Sequence, residues 1–137
     1  MTEVPNKLIH PELSYQIMGS AFSVFNDLGW GHKEAYYQRA LVEEFNKRGV
    51  KYKKEIIFPI KYNEKIIAKY RIDFVVENKI VIELKIRPRI GYVHLKQVLQ
   101  YLNQSGLKLG IIIYFTQDGV KYKRVIANAN NSSIRLN

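Results

Sequence analysis

The hydrophobic positions in the first third of the chain recur at the spacing of two amphipathic helices. Pro11 suits the first turn of a helix, and Gly29 is a residue type that often ends one. The pattern therefore predicts a first helix over residues 11–28 and a second over residues 33–48, which stops at Gly49. The apolar positions of the two helices are Leu13, Ile17, Ala21, Val24, Phe25, Leu28, Tyr37, Leu41 and Phe45.

After Gly49 the hydrophobic period changes to the alternation that is typical of strands. Residues 50–62 alternate apolar and charged side chains, and Pro59 among them favours an edge strand or a bulge. The order of elements indicates an α/β domain with a central mixed β-sheet flanked by helices. The remaining predictions are strands over residues 66–76, 80–86, 110–115 and 122–127, a helix over 93–104, and turns at 63–64 and 117–119.

The 137 residues show no internal repeat and no linker, so we expect one domain. Residues 1–10 are expected to be a leader, and residues 128–137 a frayed polar tail. No apolar run reaches the roughly 20 residues of a membrane span, and the N-terminus lacks the pattern of a signal peptide. The absence of cysteine excludes disulfides and thiolate metal sites. We expect a cytoplasmic protein that does not act at membranes.

The charge of the chain narrows the choice of partner. Twenty-two Lys and Arg oppose twelve Asp and Glu, which gives a formal net charge of +10. Such a surface attracts polyanions, chiefly through contacts with phosphates. A basic surface can also serve solubility alone, so charge leaves nucleic acid as one of two interpretations.

The segment over residues 71–85 carries acidic residues where strands usually avoid them. With a three-residue loop at residues 77–79, Asp73 would face Glu83 and Arg71 would face Lys85. The opposite face would then be wholly apolar, with Ile72, Phe74, Val76, Ile80, Ile82 and Leu84. A two-residue loop would mix charged and apolar residues on both faces, so the core should select the first register.

This register would place two carboxylates directly opposite each other, with Cβ atoms about 5 Å apart. Repulsion at that distance raises one pKa unless a cation lies between the two groups. Oxygen ligands favour hard ions such as Mg²⁺ or Mn²⁺. Lys85 lies two residues after Glu83 on the same face, where its ammonium could hold a water or a phosphate. The alternative is a surface ion cluster, in which Asp73 pairs with Arg71 or Lys85 and nothing is catalysed.

The hairpin residues match a known pattern. Asp73 followed by Glu83, Leu84 and Lys85 resembles the core of the PD-(D/E)XK nuclease superfamily. Residues 31–37 resemble the signature of its GxxExxY family, and a later segment, 94–102 with 106–110, resembles that family's helix and strand. Three segments in the expected order make this resemblance more specific than the hairpin alone.

The chain departs from the pattern at two positions. Trp30 stands where such sequences commonly have proline, and Ile72 rather than proline precedes Asp73. The resemblance implies a restriction-endonuclease-like fold over one nuclease domain. It also implies Mg²⁺-dependent hydrolysis of phosphodiester bonds, with Mn²⁺ as a substitute and DNA favoured over RNA as the substrate.

The resemblance also assigns roles to single residues. It implies that Asp73 and Glu83 hold the metal with the backbone carbonyl of Leu84, and that Glu34 approaches the metal from the second helix. It implies that Lys85 orients or activates the water. Further candidates are Gln97, which would position the nucleophile or a phosphate, and Tyr101, which would support Gln97. The residues alone favour other roles: a first-turn helix charge for Glu34, and a core residue for Tyr101.

Basic residues near the hairpin are candidates for contacts with nucleic acid, although ordinary solvation explains them nearly as well. They are Arg71, Arg87, Arg89 and Lys96. His94, near the start of the third helix, is a candidate helix cap or phosphate contact. Two other functions stay open: an inactive module that binds nucleic acid without cutting it, and a homodimeric nuclease that resolves DNA junctions.

Overall fold

The computed structural model describes residues 9–89, 91–128 and 131–136. Residues 1–8 of the expected leader lie outside the described residues. Within these ranges, no helix is long and apolar enough to cross a membrane. The elements are α1 Pro11–Leu28, α2 Glu34–Arg48, β1 Tyr52–Tyr62, β2 Lys65–Val76, β3 Ile80–Ile86, α3 Tyr92–Ser105, β4 Leu109–Thr116, β5 Gly119–Asn128 and β6 Asn131–Leu136.

The two N-terminal helices end at the glycines that the sequence indicates. Gly29 follows α1 with φ 73°, and its N–H donates to the carbonyl of Phe25. Gly49 follows α2 with φ 72° and closes that helix in the left-handed conformation. Glycine adopts this conformation without the steric cost that a Cβ would add. The short connection from Gly29 to the start of α2 places Glu34 in the first turn of that helix.

The strands of the described chain form one sheet whose order follows the chain, from β1 to β6. The pair β3–β4 is parallel, because α3 carries the chain back across the sheet, and the other neighbours are antiparallel. The predicted mixed sheet with flanking helices is confirmed. Pro59 lies on β1 at the edge of the sheet, one residue before a bulge between Ile60 and Lys61, as its side chain requires.

Hydrophobic side chains pack on both faces of the sheet. Helices α1 and α2 cover one face, where the buried residues include Ile17, Leu41, Phe45, Phe74, Ile82 and Ile113. Helix α3 covers the other face, where they include Val81, Leu95, Val98, Leu102 and Ile112. Strand β4 is buried along its whole length, because helices lie on both sides of it. Each fully buried Leu, Ile or Phe stabilises the fold by about 1.5–3 kcal/mol.

The frayed tail expected over residues 128–137 is wrong for residues 131–136. These residues form β6, which pairs antiparallel with β5, and Val125 lies opposite Leu136. An edge strand leaves a row of unpaired backbone groups, and a neighbouring strand can satisfy them whatever its side chains are. The polar sequence of the tail therefore did not reveal the strand.

Gly110 in β4 allows α3 to approach the sheet closely, and this contact can be tested. A methyl group on Gly110 would lie 2.5 Å from Cγ1 of Val98. Because the core is closely packed there, we expect Gly110→Ala to lower the free energy of unfolding by about 1–3 kcal/mol in urea denaturation. In the double variant Gly110→Ala/Val98→Ala, the two changes should cost less than the sum of the single costs. Additive costs would contradict the close contact.

Candidate active site

At Asp73 and Glu83, hydrogen bonds to side-chain carboxylates replace the backbone hydrogen bonds between β2 and β3. Within the described chain, the Cα pairing of these strands reaches Phe74 and Ile82 and ends there. One residue further, the N–H of Asp73 donates to Oε1 of Glu83 at 2.8 Å. The N–H of Leu84 donates to Oδ2 of Asp73, also at 2.8 Å. Each carboxylate thus takes the place of a backbone carbonyl from the neighbouring strand.

The predicted register holds up to this point and fails beyond it. The loop at residues 77–79 and the three strand pairs that follow it are confirmed. Ile72, however, was expected on the apolar face of Phe74 and Leu84, and it packs instead in the cluster below α3. Regular alternation needs a continuous ladder, and the ladder is interrupted at Asp73.

Asp73 and Glu83 are almost fully buried, with 6% and 1% of their surfaces exposed. Burial disfavours the charged form of a carboxyl group. It raises the pKa of Glu83 to about 7, and the charge of Asp73 adds to the rise. Burial also raises the pKa of Asp73, against the opposing effects of the Leu84 amide and the Lys85 ammonium. A further positive charge beside this pair would therefore be favourable.

Tyr70 belongs to the site, although sequence reasoning missed it. Its hydroxyl donates a hydrogen bond of 2.6 Å to Oε2 of Glu83. Burial, followed by the charge of Glu83, raises the pKa of Tyr70, so the hydroxyl keeps its proton and remains a donor. Strict alternation puts residues 70 and 73 on opposite faces of a strand, so this contact could not be predicted from the pattern of residues.

Lys85 approaches the same oxygen of Glu83. Its Nζ atom lies 3.7 Å from Oε2, and the side chain is 21% exposed. The ammonium group lowers the pKa of Asp73 and Glu83 against the effect of burial. The structure thus brings together the three hairpin residues that the sequence pattern selected, with the lysine on the side that solvent reaches.

Helix α2 adds two polar side chains. Burial raises the pKa of Glu34; the charge of Lys85 lowers this pKa and the charge of Asp73 raises it, so Glu34 lies within electrostatic range of both groups. Gln38, one turn later, donates from Nε2 to Oε2 of Glu34 at 3.3 Å. Its amide also favours the charged form of Asp73. Sequence reasoning missed Gln38, but its spacing of four residues from Glu34 could have indicated it.

The start of α3 brings His94 against Arg87, two residues after Lys85. Arg87 donates from Nη1 to Nε2 of His94 at 3.0 Å. Burial lowers the pKa of His94, and the positive charges of Lys85 and Arg87 lower it further. The imidazole is therefore a neutral acceptor that holds Arg87 near the site, where its charge also acts on Glu34.

The other predicted residues lie at the margin. Among the described residues, Gln97, Arg89 and Lys96 form no hydrogen bond or salt bridge with the carboxylates; Gln97 is half-buried and the two cations are exposed. Tyr101 packs edge-on against Phe58, with ring centroids 5.4 Å apart. Arg71 is exposed, and its charge acts on both Asp73 and Glu34.

The chemistry of the donor groups suits a hard divalent cation. Asp73 and Glu83 offer carboxylate oxygens beside the backbone of Leu84, and burial raises the pKa of both groups, so a positive charge beside them would be favourable. Among the described residues, no three His, Asp or Glu side chains form a metal cluster, so Glu34 does not complete a three-carboxylate set. Mg²⁺ keeps several waters and needs only one or two carboxylates from a protein, so the two present fit it.

A solved structure and a protein family are similar to this chain. The chain is 17% identical to the solved structure of SSO0001, which it matches over 85% of its own length and 78% of that chain with a TM-score of 0.46. A comparison with curated proteins gives no match. The family model of the PD-(D/E)XK nuclease superfamily matches residues 11–125, from the start of α1 into β5. The chain therefore belongs to the PD-(D/E)XK nuclease superfamily.

Proposed function

We propose that this nuclease cleaves DNA with Mg²⁺, or with Mn²⁺ as a substitute, and that it is of the GxxExxY type. Its superfamily hydrolyses phosphodiester bonds of nucleic acids and generally uses divalent metals. The observation that carries the proposal is the reciprocal hydrogen bonding of Asp73 and Glu83 with Lys85 beside them. The position of Glu34 near these groups supports the GxxExxY assignment, because Glu34 is the acidic residue of that signature.

Asp73, Glu83 and the backbone carbonyl of Leu84 are the groups that would hold the cation, and Glu34 would approach it from α2. When bound, a divalent cation supplies positive charge for phosphate oxygens and makes nearby water more acidic. A donor set of oxygens favours Mg²⁺ or Mn²⁺ over softer ions.

The remaining groups act directly on water and substrate. The Lys85 ammonium has three N–H donors and approaches one carboxylate oxygen, so it can donate to the water that attacks phosphorus or to a phosphate oxygen. Tyr70 holds Glu83 in place through its hydroxyl. We assign to Gln97 the positioning of the nucleophile or a phosphate, and to Tyr101 the support of Gln97.

The basic residues around the site would bind the backbone of the substrate. Arg71, Arg87, Arg89 and Lys96 are proposed to contact phosphates, and the net charge of +10 raises the local concentration of a polyanion. A homodimer and a cytoplasmic location stay predictions. Light scattering tests the first, and fractionation of cells tests the second.

The first prediction from this proposal concerns cleavage. We expect the purified protein to cut supercoiled plasmid with Mg²⁺ or Mn²⁺ and to leave it intact in EDTA. Asp73→Ala removes a carboxylate that would hold the cation, so the rate should fall by more than about a hundredfold. Asp118→Ala, at an exposed turn between β4 and β5, is the matched control and should keep the rate.

A panel of linear, single-stranded, branched and RNA substrates, assayed by gel electrophoresis, defines the substrate class. Preference for RNA would contradict the DNA assignment, and preference for four-way junctions would favour the junction-resolving alternative. Binding of DNA without cleavage under every metal condition would favour the inactive module.

The second prediction concerns pH. Because the pKa of Glu83 is raised to about 7, a proton competes with the cation for this carboxylate. As the pH falls below 7, the apparent affinity for Mn²⁺ should fall by up to about tenfold per pH unit, and above 7 it should level off. Isothermal titration calorimetry across this pH range measures the midpoint.

Tyr70→Phe provides the test of this assignment. The Tyr70 hydroxyl favours the charged form of Glu83, so its removal should move the midpoint of metal binding to higher pH. Tyr122→Phe, at an exposed position on β5, is the matched control and should leave the midpoint in place. An unmoved midpoint in Tyr70→Phe would contradict the role of this hydroxyl.

The third prediction concerns Lys85. Lys85→Ala removes the ammonium beside Glu83, and we expect turnover to fall by about 10²–10⁴-fold while the affinity for DNA in EDTA changes little. Lys121→Ala, an exposed lysine on β5, should leave turnover unchanged. Steady-state kinetics on a labelled duplex separates turnover from KM. Equal losses in the two variants would show that Lys85 contributes only general surface charge.

A further inference from the structure

The outer parts of β1 and β2 form a two-stranded ribbon that extends beyond the rest of the sheet. Strand β2 pairs with β3 only up to Phe74, whereas its pairing with β1 continues to the turn at Asn63 and Glu64. We call residues 57–71 the ribbon. Every residue over 61–69 is exposed, so both faces of its outer part are open to solvent.

The ribbon and the residues that lead into it are strongly basic. Residues 51–71 contain seven Lys or Arg and two Glu, a net charge of +5 that is half of the chain's +10. Among the described residues, none of these seven cations forms a salt bridge. The cations are Lys51, Lys53, Lys54, Lys61, Lys65, Lys69 and Arg71.

The positive charge leads to the active site. Lys69 and Arg71 lie two residues apart on β2, opposite Pro59 and Ile57 of β1, and alternation puts both cations on one face of the ribbon. Arg71 comes two residues before Asp73, and its charge acts on that carboxylate. The ribbon therefore starts beside the carboxylates, and its Lys and Arg side chains extend the positive charge away from the active site.

The tip of the ribbon also exposes large apolar side chains. Tyr62, Ile66 and Ile67 are 66%, 55% and 64% exposed. Asn63 and Glu64 both have positive φ, 48° and 65°, as in the tight two-residue turns of hairpins, so the tip is narrow. Apolar side chains among lysines suit a polyanion that presents apolar groups between its phosphates, as a DNA groove does.

We propose that the ribbon is a DNA-binding arm that lies in the major groove of duplex DNA beside the cut. In this arrangement the lysines contact phosphates, and Tyr62, Ile66 and Ile67 contact base edges. The major groove of B-DNA, about 12 Å wide, admits a two-stranded ribbon, whereas the deep, narrow major groove of A-form RNA does not. A second copy of the chain suits the ribbon poorly, because two such ribbons would repel each other. The inference rests on the proposed function for the position of the cut.

The length of the ribbon sets the size of the contact. Lys65, at the tip, lies six positions before Arg71. At about 3.3 Å per position this offset spans about 20 Å, which equals about six base pairs at 3.4 Å each. A duplex that ends at the cut on the side of the ribbon should therefore bind more weakly than one with six or more base pairs there.

The test measures binding to a labelled duplex by fluorescence anisotropy in EDTA at several salt concentrations, so it needs no cleavage. The triple variant Lys61→Gln/Lys65→Gln/Lys69→Gln should bind at least tenfold more weakly. If all three lysines contact phosphates, the slope of log affinity against log salt should become shallower by about 3. The matched control is Lys47→Gln/Lys79→Gln/Lys108→Gln, which removes the same charge from exposed positions outside the ribbon. It should change the slope by less than about 1.

A second variant tests the apolar tip. Tyr62→Ser/Ile66→Ser/Ile67→Ser should weaken duplex binding about tenfold, with an unchanged salt slope and little effect on single strands, because it keeps every charge. Thermal melting checks that each variant is folded. Equal losses in the lysine variant and its control, or equal losses on single-stranded and duplex DNA, would overturn the proposal. The proposal would also be overturned if light scattering shows that the parent chain is a dimer and that the apolar variant is a monomer.

The two proposals fail separately. If the ribbon variants lose duplex binding but the parent chain never cuts DNA with any divalent cation, the arm stands and the proposed function falls. If the parent chain cuts DNA and the ribbon variants bind and cut like the parent, the proposed function stands and the arm falls.

Discussion

The site depends on two reciprocal hydrogen bonds between backbone amides and buried carboxylates, from Asp73 to Glu83 and from Leu84 to Asp73. These hydrogen bonds offset part of the free energy that is lost when the two carboxylates are removed from water. Without such partners, burial of either charge would be strongly unfavourable. They also hold the carboxylates at fixed positions on adjoining strands. The remaining electrostatic imbalance appears as raised pKa values for both groups, so the folded protein keeps a place where positive charge is stabilising.

The same two bonds shape the structure around them. Because side chains replace the ladder at Asp73, β2 is released from β3 and continues with β1 alone as the ribbon. The interruption also places Tyr70 against Glu83, although regular alternation would separate residues 70 and 73. One interruption of the β2–β3 pairing therefore accounts for the carboxylate pair, the contact of Tyr70 and the start of the basic ribbon. The helices add Glu34, Gln38 and His94 around the carboxylates.

The fold and the central pair could be predicted because they follow from periods that a sequence shows directly. Helical spacing marked α1 and α2, and the loop length of one hairpin set the register of the three strand pairs that end beside Asp73 and Glu83. Tyr70 and Ile72 could not be placed, because they follow an interruption that no alternating pattern contains. Residues 131–136 were missed for another reason: β6 is held by backbone pairing, which polar side chains do not reveal.

The order of the strands has a consequence for how the chain folds. Strands that are adjacent in the described sheet are also consecutive in the chain. Strands β3 and β4 are separated along the chain by helix α3, whereas turns or short connections join the other described neighbours. The entropy lost in closing a loop grows with its length, so β1–β2–β3 and β4–β5–β6 are each local structures, and their parallel seam is the slower contact to form. Asp73 and Glu83 meet within the first of these units, through a three-residue turn. The two acidic groups are thus brought together by one of the shortest closures in the molecule, before the distant halves of the sheet need to join.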